Sequence, residues 1–318
     1  MTQDNNSKFI PPHPLNTAVL FLVFNRLDTT KQVFEAIRKA KPPRLYVAAD
    51  GARELKEGKE QKVKAVREYI MQNINWECEV KTLFREKNLG CKYAVSGAID
   101  WFFENEEMGI ILEDDCLPSQ SFFWFCEELL ELYQDDQRIM QITGTNFLPQ
   151  ESKSIKSSYF FSDFGSIWGW ATWRRAWEYY DVKMNNWHKV TDSLVYKSLF
   201  NFKYTNKVKH KQWVRAAENK IDTWDYQWMF AKKINSGLNI VPVKNLISNI
   251  GFGSGTHTLD KFNALSRMGT SEIGFPLKHP NNVIRNLYLD KLYEKRYFKP
   301  KSILQKIFSK IYRIARSI

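Results

Sequence analysis

The sequence predicts an α/β protein with a mostly parallel central sheet flanked by helices, on three observations. Short unbroken apolar runs alternate with helical patterns through the first half, two of those runs end in acidic residues, and the second half turns irregular and aromatic. Strands separated by helical segments mark βαβ units, whose strands are covered on both faces and so read as continuous apolar runs.

Residues 18–24 are such a run, stopped by Asn25, Arg26, Leu27 and Asp28. Thr29 with Gln32 reads as a capping box, and Val33, Phe34 and Ile37 give the following helix one apolar face that ends before Pro42 and Pro43. Residues 44–50 repeat the scheme as a strand closed by Asp50 and Gly51. A helix carrying Val63, Val66 and Ile70 and a strand over 80–84 come next, then a turn at Asn88, Leu89 and Gly90 and a helix over 91–103.

The chain is organised around the stretch that follows. Gly109, Ile110, Ile111 and Leu112 make a buried strand that runs straight into Glu113, Asp114 and Asp115, before Cys116, Leu117 and Pro118. Three adjacent carboxylates repel one another and are not buried together unpaired, so a cation is expected to meet them. Ligands of open α/β sheets bind outside the carboxyl ends of the strands, and a hard divalent ion with phosphate oxygens would offset the repulsion there. The competing reading is a strand end whose acids face water or cap the next helix, since Pro118, Ser119 and Ser121 open a helical pattern.

Beyond a helix at 122–133 and a strand at 138–143 the sequence is rich in aromatics. Gly165, Trp168, Gly169 and Trp170 interleave glycine with indole, which suits a sugar-binding wall, although core packing explains such aromatics equally. Asp225 opens a helical pattern between Trp224 and Tyr226, either as a cap or as a general base whose proton affinity rises on burial. A strand at 238–243 leads into a glycine-rich segment, 247–258, with the character of a lid that closes over substrate, and His257 within it could contact phosphate or metal.

At 318 residues and 43% hydrophobic the chain is long and apolar enough for a packed core. Its net charge of +12 implies an anionic partner. Cys78, Cys91, Cys116 and Cys126 form no CxxC pair and read as reduced structural thiols. The polar N-terminus does not resemble a secretory signal and no run approaches a membrane span, so a cytoplasmic location is expected, peripheral on the inner face of the membrane if the C-terminus binds lipid. No GxGxxG follows the first strand and no GxxxxGK[ST] occurs, so phosphates would be handled by a metal and basic side chains.

These features together resemble the GT-A fold nucleotide-diphosphosugar glycosyltransferases, and within them the inverting N-acetylglucosaminyltransferase I type and its bacterial relatives. The resemblance rests on Asn25-Arg26 after the first strand, Asp50 after the second and Glu113-Asp114-Asp115 after the fourth. Gly169-Trp170, Trp224-Asp225 and the glycine-rich segment then follow in the family's order. It implies that Arg26, with Lys92 assisting, lies near the diphosphate, Asp50 by the uracil ring, Asp114 by the ribose and Glu113 by the donor sugar. It further implies that Asp115 binds Mn²⁺ or Mg²⁺ and that Asp225 is the catalytic base. The family has two adjacent acids at that helix start, whereas Asp225 is followed here by Tyr226 and Gln227.

The expected activity is transfer of a hexose from a UDP-sugar to a hydroxyl of a glycan or lipid-linked acceptor in bacterial surface polysaccharide synthesis. The expected domain spans 17–260, divided at 118 into a nucleotide-binding and an acceptor half, followed by an extension over 261–298. Residues 299–318 carry Ile303, Leu304, Ile307, Phe308, Ile311 and Ile314 at helical spacing with Lys306, Lys310, Arg313 and Arg316 mostly elsewhere. Such a basic amphipathic helix suits either an anionic membrane surface or docking on its own domain. Two other classes compete with the transferase. A sugar-nucleotide pyrophosphorylase would carry a glycine-rich basic loop where Asn25 to Asp28 stand, and a non-catalytic membrane-surface or anion-binding protein would explain the charge but not the acids ending two strands. For the same reason no nucleic-acid partner is expected.

Overall fold

Every residue of β1 (Val19–Val23) is buried, because a parallel strand lies on each side of it and helices cover both faces. Its neighbours are β2 (Arg44–Ala49), in register Val19 to Leu45, and β4 (Met108–Glu113), in register Val19 to Ile110 and Leu22 to Glu113. The edge strand β3 (Glu79–Phe84) pairs with β2 and is half exposed, so its Glu79 and Lys81 tolerate solvent. The structure, a computed structural model, describes residues 9–53, 58–191, 199, 202–251 and 268–300.

Helices α1 (Leu27–Ala40), α2 (Lys59–Asn73) and α3 (Gly90–Asn105) supply the crossovers between these parallel strands. On α1 the buried residues are Thr30, Val33, Phe34, Ala36, Ile37 and Ala40, the stripe expected of an amphipathic helix. The capping box does not form. The helix begins two residues before Thr29, and the hydroxyls of Thr29 and Thr30 donate back to the Arg26 carbonyl at 3.2 and 2.7 Å. Arg26 is thereby fixed at the junction of strand and helix.

Beyond β4 the sheet continues through β8 (Trp170–Trp173), β6 (Ile139–Thr143), β9 (Leu238–Pro242) and β7 (Tyr159–Ser162), giving eight strands in the order β3-β2-β1-β4-β8-β6-β9-β7. Strands β8 and β7 run against the rest, so the sheet is mixed but mostly parallel, as the sequence predicts. A separate two-stranded ribbon joins β5 (Cys116–Pro118) to β10 (Ile247–Asn249). Helix α4 (Ser121–Leu132) packs over the sheet, and the N–H groups of Gln120 and Ser121 are capped by the distant Glu272 carboxylate at 3.1 and 2.7 Å. The described residues also form the short helices α5 (Arg174–Trp177) and α6 (Trp187–Thr191), then α7 (Lys203–Ala217), α8 (Asp225–Ile234) and α9 (Leu287–Tyr297).

The segment over 268–300 shares the main core, since Ile273 and Leu277 are buried in the same apolar cluster as β1 and β4. Among the described residues no helix is long and apolar enough to cross a membrane. All four cysteines are free thiols.

One buried carboxylate ties α4 to the start of β1. The Glu127 side chain, 3% exposed, accepts hydrogen bonds at 2.7 Å from the N–H groups of Asn16 and Thr17 and from the Thr17 hydroxyl. Glu127→Ala strands these donors and is expected to cost about 2–4 kcal/mol in chemical denaturation. Glu127→Gln, which keeps an acceptor oxygen, should cost less than half of that.

Candidate active site

The parallel pairing of β1 with β4 brings their carboxyl ends side by side, and a guanidinium joins them. Arg26 Nη2 donates to Asp114 Oδ1, its Nε reaches Asp114 Oδ2 at 3.5 Å, and its Nη1 lies 2.8 Å from Asp115 Oδ2. The cation that the acidic run demands is therefore supplied by the chain itself. Burial works against the Arg26 charge, but Asp114 and Asp115 more than compensate and raise its proton affinity. The site closes tightly around this pair: a Cβ on Gly251 would lie 2.2 Å from Asp115 Oδ2 and 2.7 Å from Arg26 Nη1. The Gly251 backbone thus lies against both side chains, and Ile250 N–H donates to the Asp115 carbonyl at 2.8 Å.

The three acids differ in environment. Burial, with Asp115 and Asp114 adding to it, pushes Glu113 up to about 8. Its Oε1 is buried with no partner. Burial also pushes Asp114 up to about 6 against the pull of Arg26. Asp115 is the more exposed of the two aspartates that Arg26 holds, 13% against 4% for the side chains, so its carboxylate is the one of the pair that reaches solvent.

Asp225 stands at the first residue of α8, and its charge adds to the proton affinity of Glu113, which places the two carboxyls in one electrostatic neighbourhood. Burial raises Asp225 as well, opposed by the Thr223 hydroxyl that donates to it and by the charge of Lys209. Lys209 is itself 6% exposed and pushed down to about 8 by burial. Neither Thr223 nor Lys209 stood out in the sequence. Thr223, two residues before an acid at a helix start, carried a legible signal, whereas Lys209 reaches the site only through the packing of α7 on α8.

The N-terminus of α3, where helix N–H groups could cradle a phosphate, is filled by the protein's own carboxylates. Asp50 accepts from Leu89 N–H at 2.9 Å, Gly90 N–H at 3.1 Å, the Asn88 amide at 2.9 Å and its own neighbour Gly51 at 3.0 Å. Asp222 accepts from Cys91 and Lys92 N–H at 2.9 and 2.7 Å and so anchors the segment that leads into Asp225. The residue that the resemblance gives to the base thus caps a helix here.

Two expectations are corrected. Lys92 does not point a free ammonium at the acids: it is 4% exposed and its Nζ donates to Asn219 Oδ1 at 3.1 Å. Trp170 forms no sugar wall, being fully buried and stacked on Trp224 with ring centroids 5.7 Å apart and an interplanar angle of 21°. Gly169 serves the backbone instead, with a positive φ of 59° and Ile247 Cδ1 2.3 Å from where a Cβ would stand. Gly165 backs onto Asn239 in the same way, and Trp168 packs its ring on Phe147 at 5.5 Å. Asn25 is partly exposed beside Arg26. His257 lies outside the described residues, as do 252–258 of the glycine-rich segment and 301–318 of the basic helix.

The buried glutamic acid makes a testable stability signature. Its carboxyl loses the proton near 4.5 when free of the fold and near 8 within it. The folded state therefore binds the extra proton between those values, and stability falls as pH rises through that window. Glu113→Gln is expected to unfold at a higher temperature than wild type at pH 8 and to show a flatter Tm profile between pH 5 and 8, read by differential scanning calorimetry.

No protein-family model matches the chain, and no curated protein matches it. Solved structures similar to it include the mannosyltransferase PcManGT from Pyrobaculum calidifontis in complex with GDP-Man and Mn²⁺. It is 12% identical with a TM-score of 0.37, over 70% of each chain. Residues 1–349 of TarS from S. aureus are 10% identical with a TM-score of 0.39, over 73% of this chain and 59% of that one. The 4-diphosphocytidyl-2C-methyl-D-erythritol synthase from Anaerococcus prevotii is 8% identical with a TM-score of 0.31, over 56% of this chain and 78% of that one. At such distances the function has to be argued from the residues themselves.

Proposed function

We propose that the protein is a GT-A glycosyltransferase that moves a sugar from a nucleotide-diphosphosugar, a UDP-sugar, to an acceptor hydroxyl with inversion, in the synthesis of a bacterial surface glycan. The observation that carries this reading is the meeting of Arg26 with Asp114 and Asp115 at the carboxyl ends of β1 and β4, with Glu113 and Asp225 in the same electrostatic neighbourhood. That end of an α/β sheet is where ligands bind. One place there offers a guanidinium suited to phosphate, a carboxylate that reaches solvent and a carboxyl whose burial favours proton uptake.

The donor set fits a hard divalent ion, Mn²⁺ or Mg²⁺. The Asp115 side chain is 13% exposed, with Oδ2 held by Arg26 and Oδ1 accepting from Cys116 Sγ at 3.4 Å, and Glu113 Oε1 is a buried oxygen with no partner. Among the described residues no three His, Cys, Asp or Glu side chains gather into a ready-made metal cage. Asp115 would hold the ion, with the donor diphosphate and water completing its shell, as is usual for magnesium sites. When bound, the ion would offset the charge that gathers on the leaving diphosphate.

The chain's own residues do the rest. Arg26 binds the diphosphate oxygens and stabilises them as the bond from the anomeric carbon breaks. Glu113 hydrogen-bonds a hydroxyl of the donor sugar. Asp225 takes the proton of the acceptor hydroxyl as its oxygen bonds to the anomeric carbon from the opposite side, which inverts the configuration. Lys209 and the Thr223 hydroxyl oppose the rise in proton affinity that burial gives Asp225, and the Asp222 cap holds its helix in place.

A thermal-shift panel of nucleotides and sugar nucleotides with and without Mn²⁺ tests the donor site. Wild type is expected to gain stability with UDP or a UDP-sugar only when metal is present, by about 2.7 kcal/mol at a hundredfold excess over Kd. Asp115→Ala should lose that gain. A folded wild type that responds to no nucleotide would sink the reading. Asp225→Asn is expected to keep the ligand-induced shift while turnover of the UDP-sugar drops at least about 100-fold.

A further inference from the structure

The cation place beside Asp115 is already taken by the chain, and this bears on how a metal could enter. Arg26 holds Asp115 Oδ2 at 2.8 Å through Nη1 while Nη2 and Nε hold Asp114. A divalent ion on that same oxygen would sit against a guanidinium of like charge. Both backbones are held by hydrogen bonds. The Arg26 carbonyl is held by Thr29 and Thr30 hydroxyls and by Thr30 N–H, and Asp115 is stitched through Ile250 to the β5 and β10 ribbon. The Asp115 side chain is hemmed in by Gly251, whose added Cβ would lie 2.2 Å from Oδ2. The remaining freedom lies in the Arg26 side chain, which is 30% exposed while Asp114 is 4% exposed. Three of the five guanidinium N–H groups are accounted for by the two acids, so others remain to greet an incoming phosphate.

We propose that Arg26 is a displaceable internal counter-ion: it occupies Asp115 in the ligand-free protein and gives up that carboxylate to a divalent ion as a diphosphate draws the guanidinium toward itself. The proposal rests on the reading that Asp115 holds the ion. Metal alone and nucleotide alone then bind weakly, and each gains by the arrival of the other. The positive charge that leaves Asp115 is replaced by the ion, and the guanidinium meets the charge of the phosphates.

Mn²⁺ titrations followed by electron paramagnetic resonance, on the full-length protein without nucleotide, test this directly. Wild type is expected to bind Mn²⁺ at least about tenfold more weakly than Arg26→Met, in which Asp115 has lost its competitor. Arg26→Lys, whose compact ammonium does not bridge two carboxylates, should fall between them and carries the comparison if Arg26→Met does not fold by circular dichroism. In wild type, saturating UDP should tighten Mn²⁺ at least tenfold beyond its affinity for UDP in solution. Equal Mn²⁺ affinities in wild type and both Arg26 variants would overturn the proposal. Asp115→Ala separates the two levels: if it binds Mn²⁺ as wild type does, the metal reading itself fails. If it loses Mn²⁺ while the Arg26 variants gain nothing, only the displacement fails.

Discussion

A single guanidinium, reaching from the end of β1 to the turn after β4, is the contact on which the functional end of this sheet depends. Asp114 is nearly inaccessible and owes its charge to Arg26. Removing one member of a desolvated ion pair leaves the other stranded, at a typical cost of about 3–5 kcal/mol. The surrounding structure serves to keep this pair in register: parallel pairing aligns Leu22 with Glu113, two threonines hold the Arg26 carbonyl, and Gly251 lets a second chain segment close against both charges. Beside it, the helix end at Gly90 is neutralised by Asp50 and Asp222. The protein has thus paired Asp114 and Asp115 with one guanidinium before any ligand arrives.

Helix α8, which begins at Asp225, is fastened at both ends. Its first residue, Asp225, follows the segment that Asp222 ties to α3. Near its far end Lys232 is buried against the Gln141 and Asn239 side-chain oxygens, and Lys233 pairs with Asp163. Burial pushes Lys232 down to about 7, with Lys209 and Lys233 adding to the effect, so the fold tolerates its charge poorly. Polar anchors of this kind fix a helix in rotation and along its axis, which apolar packing alone does less exactingly.

The strands that the sequence revealed most clearly are those covered on both faces. Residues 18–24, 44–50 and 109–113 could be read because a parallel interior strand leaves no polar alternation to confuse it, and the acids ending β4 announced the site for the same reason. What escaped depends on distance along the chain. Glu272 caps α4 from 151 residues away and Asp222 caps α3 from 130 or more. Strand β8 enters between β4 and β6 against their direction, which buries Trp170 and converts an apparent ligand wall into core. Lys92 misleads likewise: a lysine at a helix start beside a turn looks like a phosphate ligand until the partner Asn219, far along the sequence, is seen to claim it.

The tryptophans behind the site have one more consequence. Trp170 and Trp224 stack, Trp177 and Trp228 lie with ring centroids 5.1 Å apart, and Trp170 is 5.9 Å from Trp228. Indoles this close couple electronically, and Trp224 directly precedes Asp225, so a change at the start of α8 is expected to register in the near-ultraviolet circular dichroism of the cluster. The molecule thus carries an optical reporter of the start of α8 without a label.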